Sequence, residues 1–176
     1  MIDFHEVSFR NIDPSDYQEI EDMEAEHFAG DDDLIFEELE SMFEEGNSFV
    51  TYEALIAEYK GKVAGYIIYM TPNDFPKLKH VMRCIVDTDL RRSGIGSALL
   101  DRIEPTKMGR KVTVEVPEDD YATAAFYKAN KYVVVSVVPT EYDDETGEVD
   151  MEGFFILARE QKETMELSQR LQWRAK

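Results

Sequence analysis

With 176 residues, 43% of them apolar, the chain is long enough for a single domain with its own hydrophobic core. A formal charge of −19 argues against a general affinity for nucleic acid or anionic membrane, and no apolar run approaches the ~20 residues needed to span a bilayer. One cysteine, Cys84, precludes an internal disulfide, and with no secretory pattern in MIDFHEVSFR it suggests a reducing, cytoplasmic setting.

The charge is unevenly distributed. Residues 1–76 carry 20 acidic against 3 basic side chains and residues 112–176 carry 14 against 7, whereas residues 77–111 carry 9 basic against 4 acidic. A basic island inside so acidic a chain suits an anionic ligand, and the surrounding acid suits a cationic partner, solubility being the plainer alternative.

Glu6 to Arg10 alternates as a first strand. Asp13-Pro14 predicts a helix start, with Asp13 at the cap, and Tyr17, Ile20, Met23 and Phe28 supply its apolar face. A second helix is expected from Leu34 to Phe43. Strands are expected over 48–52 and 55–60, with a hairpin turn at Gly61-Lys62 and a return strand over 63–70. His80 opens the next strand, where a structural histidine is favoured over an acid–base one.

Val81 to Val86 is an apolar run that reads as a buried strand. A corner follows, then Arg91-Arg92-Ser93-Gly94-Ile95-Gly96-Ser97, and then Ala98, Leu99, Leu100 and Ile103 at helical spacing. Strand, glycine turn and helix N-terminus together make an anion site, because first-turn amides lack internal partners and the helix dipole is positive there. The pattern lacks the third glycine of a dinucleotide fingerprint and the Gly-Lys-Ser/Thr ending of a P-loop. It resembles the Arg/Gln-x-x-Gly-x-Gly/Ala signature of the GNAT superfamily of acyl-CoA N-acyltransferases, filled by Arg91, Gly94 and Gly96. The resemblance implies that Arg91 to Ser97 cradle the pyrophosphate of coenzyme A. It also implies that the backbone of Cys84, Ile85 and Val86 pairs with the pantetheine arm.

Pro105 ends the helix near Glu104, and 112–116 alternates as a strand with Thr113 and Glu115 on one face. VEVPEDDYATAAFYKANKY is similar to the second signature of that superfamily, with Tyr127 on its tyrosine. Asp120 stands where the family usually has asparagine, still as a cofactor-binding candidate, and Lys131-Tyr132 stands where it usually has Gly-Phe. Asn130 is expected to take the left-handed conformation that the absent glycine would have adopted. Val133 to Val138 is a β-branched strand, and the acidic loop 139–152 has a hairpin tip at 145–147 before a last strand over 154–158. Tyr142, Asp143, Asp144 and Glu145 are candidates for contacting a cation, or form a solvated loop. Residues 160–176 are helical by composition, an extension expected to pack on the core of residues 1–159 or to mediate a homodimer.

The implied fold is α/β (α+β), a mixed, mainly antiparallel twisted sheet flanked by helices. The implied reaction moves an acetyl group from acetyl-CoA, as co-substrate, to the amine of a small molecule or basic protein. Glu115 is the candidate base and Tyr127 the candidate acid, a phenol of pKa near 10 suiting a thiolate leaving group. No metal is expected. The alternative is a non-catalytic acidic binding protein that retained the coenzyme site or acts as a decoy for basic surfaces, and Asp120 and Lys131 are what favour it.

Overall fold

The computed structural model describes residues 2–28, 39, 40, 43, 49–103, 111–142, 146 and 148–160. The expected second helix therefore lies largely outside the described residues, as do residues 104–110 and 161–176. The chain forms two compact units, Met1–Pro76 with His80–Ile103, and Lys77–Lys79 with Glu104–Lys176.

In the first unit β1 (Val7–Asn11) leads to a capped entry into α1 (Tyr17–His27). Asp13 accepts from the Ser15 amide while Asp16 accepts from the Asp13 amide, a reciprocal capping box around Pro14. Arg10 clamps Asp16 with two bonds, Nη1 to Oδ2 at 2.6 Å and Nη2 to Oδ1 at 2.8 Å. The guanidinium holds the Asp16 carboxyl below its ordinary range. β2 (Val50–Tyr59), β3 (Lys62–Pro72) and β4 (Leu78–Val86) complete an antiparallel order β1-β2-β3-β4.

Two strand expectations change here. The separate strands over 48–52 and 55–60 are one, because Glu53 turns outward and stays paired with Tyr69 while Ala54 and Ile56 turn inward. The hairpin turn is Lys60-Gly61 rather than Gly61-Lys62. Both residues have positive φ, 54° and 76°, which matches the right-handed twist of the flanking strands.

α1 buries Tyr17, Ile20 and Met23 against Ile56, Tyr66, Ile68 and Ile85. The second helix of the described residues, α2 (Ile95–Ile103), packs on β2 and β3 and buries Ile95, Leu99, Leu100 and Ile103 completely.

In the second unit β5 (Lys111–Pro117), α3 (Tyr121–Ala129), β6 (Val133–Val138) and β9 (Phe154–Glu160) form an antiparallel order β5-β9-β6. The Lys111 amide donates to the Lys77 carbonyl at 2.9 Å and Thr113 Oγ1 to the Lys79 carbonyl at 3.4 Å. The two segments advance together, so this pairing is parallel. The strand set is therefore mixed and mainly antiparallel with flanking helices, as expected. Val112, Val114, Val116, Ala124, Tyr127, Tyr132 and Leu157 form the buried interior of this unit. The acidic segment 139–152 is more than a loop: β7 (Glu141–Tyr142) and β8 (Val149–Met151) pair as a separate two-stranded sheet.

Candidate active site

Within the basic island, residues 87–94 form a turn at the end of β4. Asp87 caps a short 3-10 turn, accepting from the Asp89 amide at 2.8 Å, and its own amide donates to the Ala64 carbonyl at 3.1 Å. Arg91 Nε reaches back to the Val86 carbonyl at 3.4 Å. Arg92 and Gly94 both take positive φ, 61° and 93°. The Ala98 amide then donates to the Gly94 carbonyl, which starts α2 immediately after the turn. The Ile95, Gly96 and Ser97 amides are consequently in the first turn, where an α-helix offers them no acceptor.

Ser93 Oγ is buried and has no hydrogen-bond partner among the described residues. An unused hydroxyl beside unused amides at the positive end of a helix, with Arg91 and Arg92 exposed alongside, fits a bound phosphate oxygen.

On β4, Cys84, Ile85 and Val86 face Ile67, Tyr66 and Gly65 of β3 across one edge. The register skips at Met82, a bulge in the same strand. Burial pushes the Cys84 thiol up to about 12, which keeps it protonated and unsuited to nucleophilic attack.

In the second unit Asp120 caps α3, its Oδ1 accepting from the Thr123 amide at 2.9 Å. Aspartate and asparagine cap a helix N-terminus about equally well, so the cap is kept despite the departure from asparagine. Tyr127 is 4% exposed, its ring edge-on to Phe126 at 5.1 Å and to Tyr132 at 5.2 Å. Its carbonyl accepts from the Tyr132 amide at 3.0 Å, so the helix end and the tyrosine are fixed together. The left-handed residue is Lys131, at φ 68°, and not Asn130, whose φ is −89°. Asn130 instead bonds its side-chain amide to the Phe126 carbonyl at 2.9 Å. Lys131 therefore adopts the conformation of the family glycine, and Tyr132 fills a buried aromatic position. Glu115 lies opposite Ile156 of β9 and is exposed.

Two features escaped the sequence reading. A cleft of about 370 Å³ in the second unit is lined by Glu118, Asp119 and Glu152 with Tyr121, Thr140 and Tyr142. Its acids lie on two separate segments, Glu118-Asp119 and Glu152, so no local pattern marks it. In the first unit Glu24 is fully buried, accepts from the Tyr66 hydroxyl and lies 3.5 Å from Arg83 Nε. Burial beside that carboxylate pushes the Tyr66 phenol above its ordinary range. The spacing Tyr17, Ile20, Glu24 puts this acid on the apolar face, a signal available in the sequence.

A glycine turn between a strand and a helix, with a buried unused hydroxyl and two exposed arginines, suits the phosphates of an anionic cofactor. The acetyltransferase (GNAT) family model matches residues 9–132, and the chain belongs to that family, with acetyl-CoA as co-substrate. None of the curated proteins matches the sequence. Among solved structures, the ribosomal-protein-S18-alanine N-acetyltransferase from Escherichia coli is similar at 18% identity and a TM-score of 0.67, covering 90% of this chain and 98% of its own. A GNAT-family acetyltransferase from Streptococcus pneumoniae shares 18% identity with a TM-score of 0.64, covering 88% and 99%. The yncA protein from Salmonella typhimurium, solved with its cofactor acetyl-CoA, shares 17% identity with a TM-score of 0.67, covering 91% and 96%. These likenesses concern the fold. Among the described residues no helix is long and apolar enough to cross a membrane, and no group of His, Cys, Asp and Glu could hold a metal.

Proposed function

We propose that this acetyltransferase acts on a cationic amine, either a polyamine or a lysine or N-terminus in a basic protein. The observation that carries the reading is the cleft of Glu118, Asp119 and Glu152 with two tyrosine rings. Carboxylates attract an ammonium and aromatic faces add cation–π attraction, so the cleft suits a cation on an apolar stem. The Escherichia coli neighbour, whose name gives a protein alanine as its acceptor, supports an amine on a protein as one possibility.

Within this proposal, the Ser93 to Ser97 donors hold the pyrophosphate with Arg91 and Arg92, the backbone of Cys84 to Val86 pairs with the pantetheine amides, and Asp120 supports that site by capping α3. The thioester supplies an already activated acyl carbon. Glu115, which is exposed, takes the ammonium proton through a held water, freeing the nitrogen lone pair. As the new C–N bond forms and the C–S bond breaks, the Tyr127 hydroxyl hands a proton to the departing sulfur. Asp120 and Lys131 are each accommodated by the fold, so neither supports the non-catalytic alternative.

A cytoplasmic location, with residues 1–159 as the catalytic domain, belongs to the same reading. It agrees with a single cysteine held as a thiol. So does indifference to nucleic acid and anionic membrane, given a charge of −19.

The test is acetyl-CoA turnover across polyamines, lysine-rich peptides, free N-termini and aminoglycosides, each against a neutral amine of similar size. Cationic acceptors should have the higher kcat/KM, and Glu118→Gln with Glu152→Gln should raise KM for them alone. A preference for neutral amines, or a KM indifferent to both carboxylates, would overturn the cationic reading.

A further inference from the structure

Coenzyme A carries a 3′-phosphoadenosine beyond its pyrophosphate, and the glycine turn has an aromatic flank. Phe4, on the short 3-10 turn before β1, is 42% exposed, and its Cε2 lies 3.8 Å from where a Cβ on Gly94 would stand. Its ring centroid is 6.3 Å from that of Phe9 on β1, the two planes tilted by 44°. The Arg102 guanidinium of α2 covers Phe9, with Cζ 3.3 Å from the ring centroid. Ring, ring and guanidinium thus form a row that begins at the glycine turn, and none of the three stands in either signature pattern. Arg102 belongs to the last turn of α2, yet its Nη1 donates back to the Ala98 carbonyl at 2.9 Å. Ala98 stands only roughly 5 Å of helix axis past Ile95, so the guanidinium is held close to the helix start. The stacked ring and that one bond orient the side chain while using one of its five N–H donors. It therefore offers phosphate a preoriented fork.

We infer that Phe4 is the stacking face for the adenine ring of the coenzyme and that Arg102 binds its 3′-phosphate. Charge sorts the two roles. Asp3 and Glu6, both exposed, flank Phe4 and disfavour an anion there, whereas a neutral purine is repelled by neither. Flat aromatic faces bind bases by stacking, and the anion falls to the guanidinium at the other end of the row. The inference rests on the reading that puts the pyrophosphate on residues 93–97. It makes Phe4 and Arg102 the residues that distinguish coenzyme A from its shorter relatives. Dephospho-coenzyme A lacks only the 3′-phosphate, and 4′-phosphopantetheine lacks the whole adenosine.

The experiment is calorimetric titration of the full chain, without acceptor, by each of these three ligands. Phe4→Ala should weaken coenzyme A and dephospho-coenzyme A by roughly 5- to 100-fold, the scale of one base stacked on an aromatic ring, and leave phosphopantetheine unchanged. Arg102→Gln should weaken coenzyme A by roughly tenfold or more and leave the other two unchanged. In either variant, no loss for coenzyme A, or equal losses for all three ligands, overturns the role given to that residue. Gly94→Ala separates this inference from the reading beneath it. If that variant weakens all three ligands while Phe4→Ala and Arg102→Gln weaken none, the adenosine assignment alone is overturned. If it weakens none of them, the pyrophosphate reading falls and takes the assignment with it. Should Phe4→Ala fail to fold, Phe4→Trp decides by its emission, read against wild type, in which Trp173 is the only tryptophan. Coenzyme A and dephospho-coenzyme A should quench the new tryptophan and phosphopantetheine should not, and equal responses to the three overturn the stacking.

Discussion

Replacing Gly94 by alanine tests the coenzyme cradle with a built-in control. Gly94 sits at φ 93°, where a side chain costs on the order of 1–3 kcal/mol, yet an added Cβ would meet only Phe4 Cε2, at an ordinary 3.8 Å. The penalty is thus backbone strain, not collision. Gly94 and Arg92 are exposed, so in the free enzyme the turn can relax to negative φ and shed that strain. Binding must then restore the original turn to aim the Ile95 to Ser97 amides, and the strain returns as lost affinity. At 1.4 kcal/mol per tenfold, coenzyme A should bind roughly 10- to 100-fold more weakly. The melting temperature should change by only a few degrees. Gly61 supplies the control, since it also has positive φ, 76°, and an added Cβ would have nothing within 4 Å. It is locked in the β2–β3 hairpin, so Gly61→Ala should lower the melting temperature by ~2–4 °C per kcal/mol of strain and leave coenzyme affinity alone. Calorimetric titration with coenzyme A and thermal unfolding of both variants are the assays. An unchanged Kd in a folded Gly94→Ala, or equal affinity losses in the two variants, would refute the placement of the pyrophosphate on this turn.

Tyr127→Phe keeps both ring contacts and should fold normally, while kcat falls by ~10²–10⁴ with little change in acetyl-CoA KM. Near-wild-type kcat on a good acceptor would make the residue a packing tyrosine. Arg92→Gly should stabilise the chain slightly by relieving a non-glycine residue at φ 61°, yet weaken coenzyme binding by removing a guanidinium. A loss of stability, or unaltered affinity, would contradict that separation. The Asp16 carboxyl titrates below its unfolded value of about 3.9, so its contribution is complete above that pH and is lost as pH falls through the folded value. Asp16→Asn should cost roughly 1 kcal/mol at neutral pH, discounted because Arg10 is 40% exposed, and should shrink that difference in strong acid. Denaturant melts from neutral to acid pH would show it, and a constant difference would deny the linkage. Salt should lower kcat/KM for a cationic acceptor by raising KM, and leave a neutral amine nearly unaffected, because the Debye length is ~8 Å at physiological ionic strength. Parallel salt titrations of the two substrates would reveal a common response if the acid serves solubility alone.

The strand, glycine turn and helix start were legible in the sequence because they are local: they occupy neighbouring residues, and each has its own propensity. The cap at Asp13, the strand Val133 to Val138 and the tyrosine of the second signature were legible for the same reason. Errors fell where neighbours could not decide. Between the strands expected over 48–52 and 55–60, Glu53 and Ala54 stay paired with Tyr69 and Ile68, which carries one strand through. Asn130 was the better left-handed residue by propensity, but Lys131, immediately before the buried Tyr132, takes that conformation while the Asn130 side chain bonds to the Phe126 carbonyl. Helical spacing puts Glu24 on an apolar face, but its partner and the meeting of the other acids were decided by the tertiary structure. Of so many carboxylates, Glu24 is buried because Tyr66, 42 residues away, donates to it, and Glu118, Asp119 and Glu152 meet in one cleft because a turn and a distant hairpin converge. Charge counts are additive along a chain, whereas the field and desolvation at each carboxylate depend on neighbours that only the folded chain supplies.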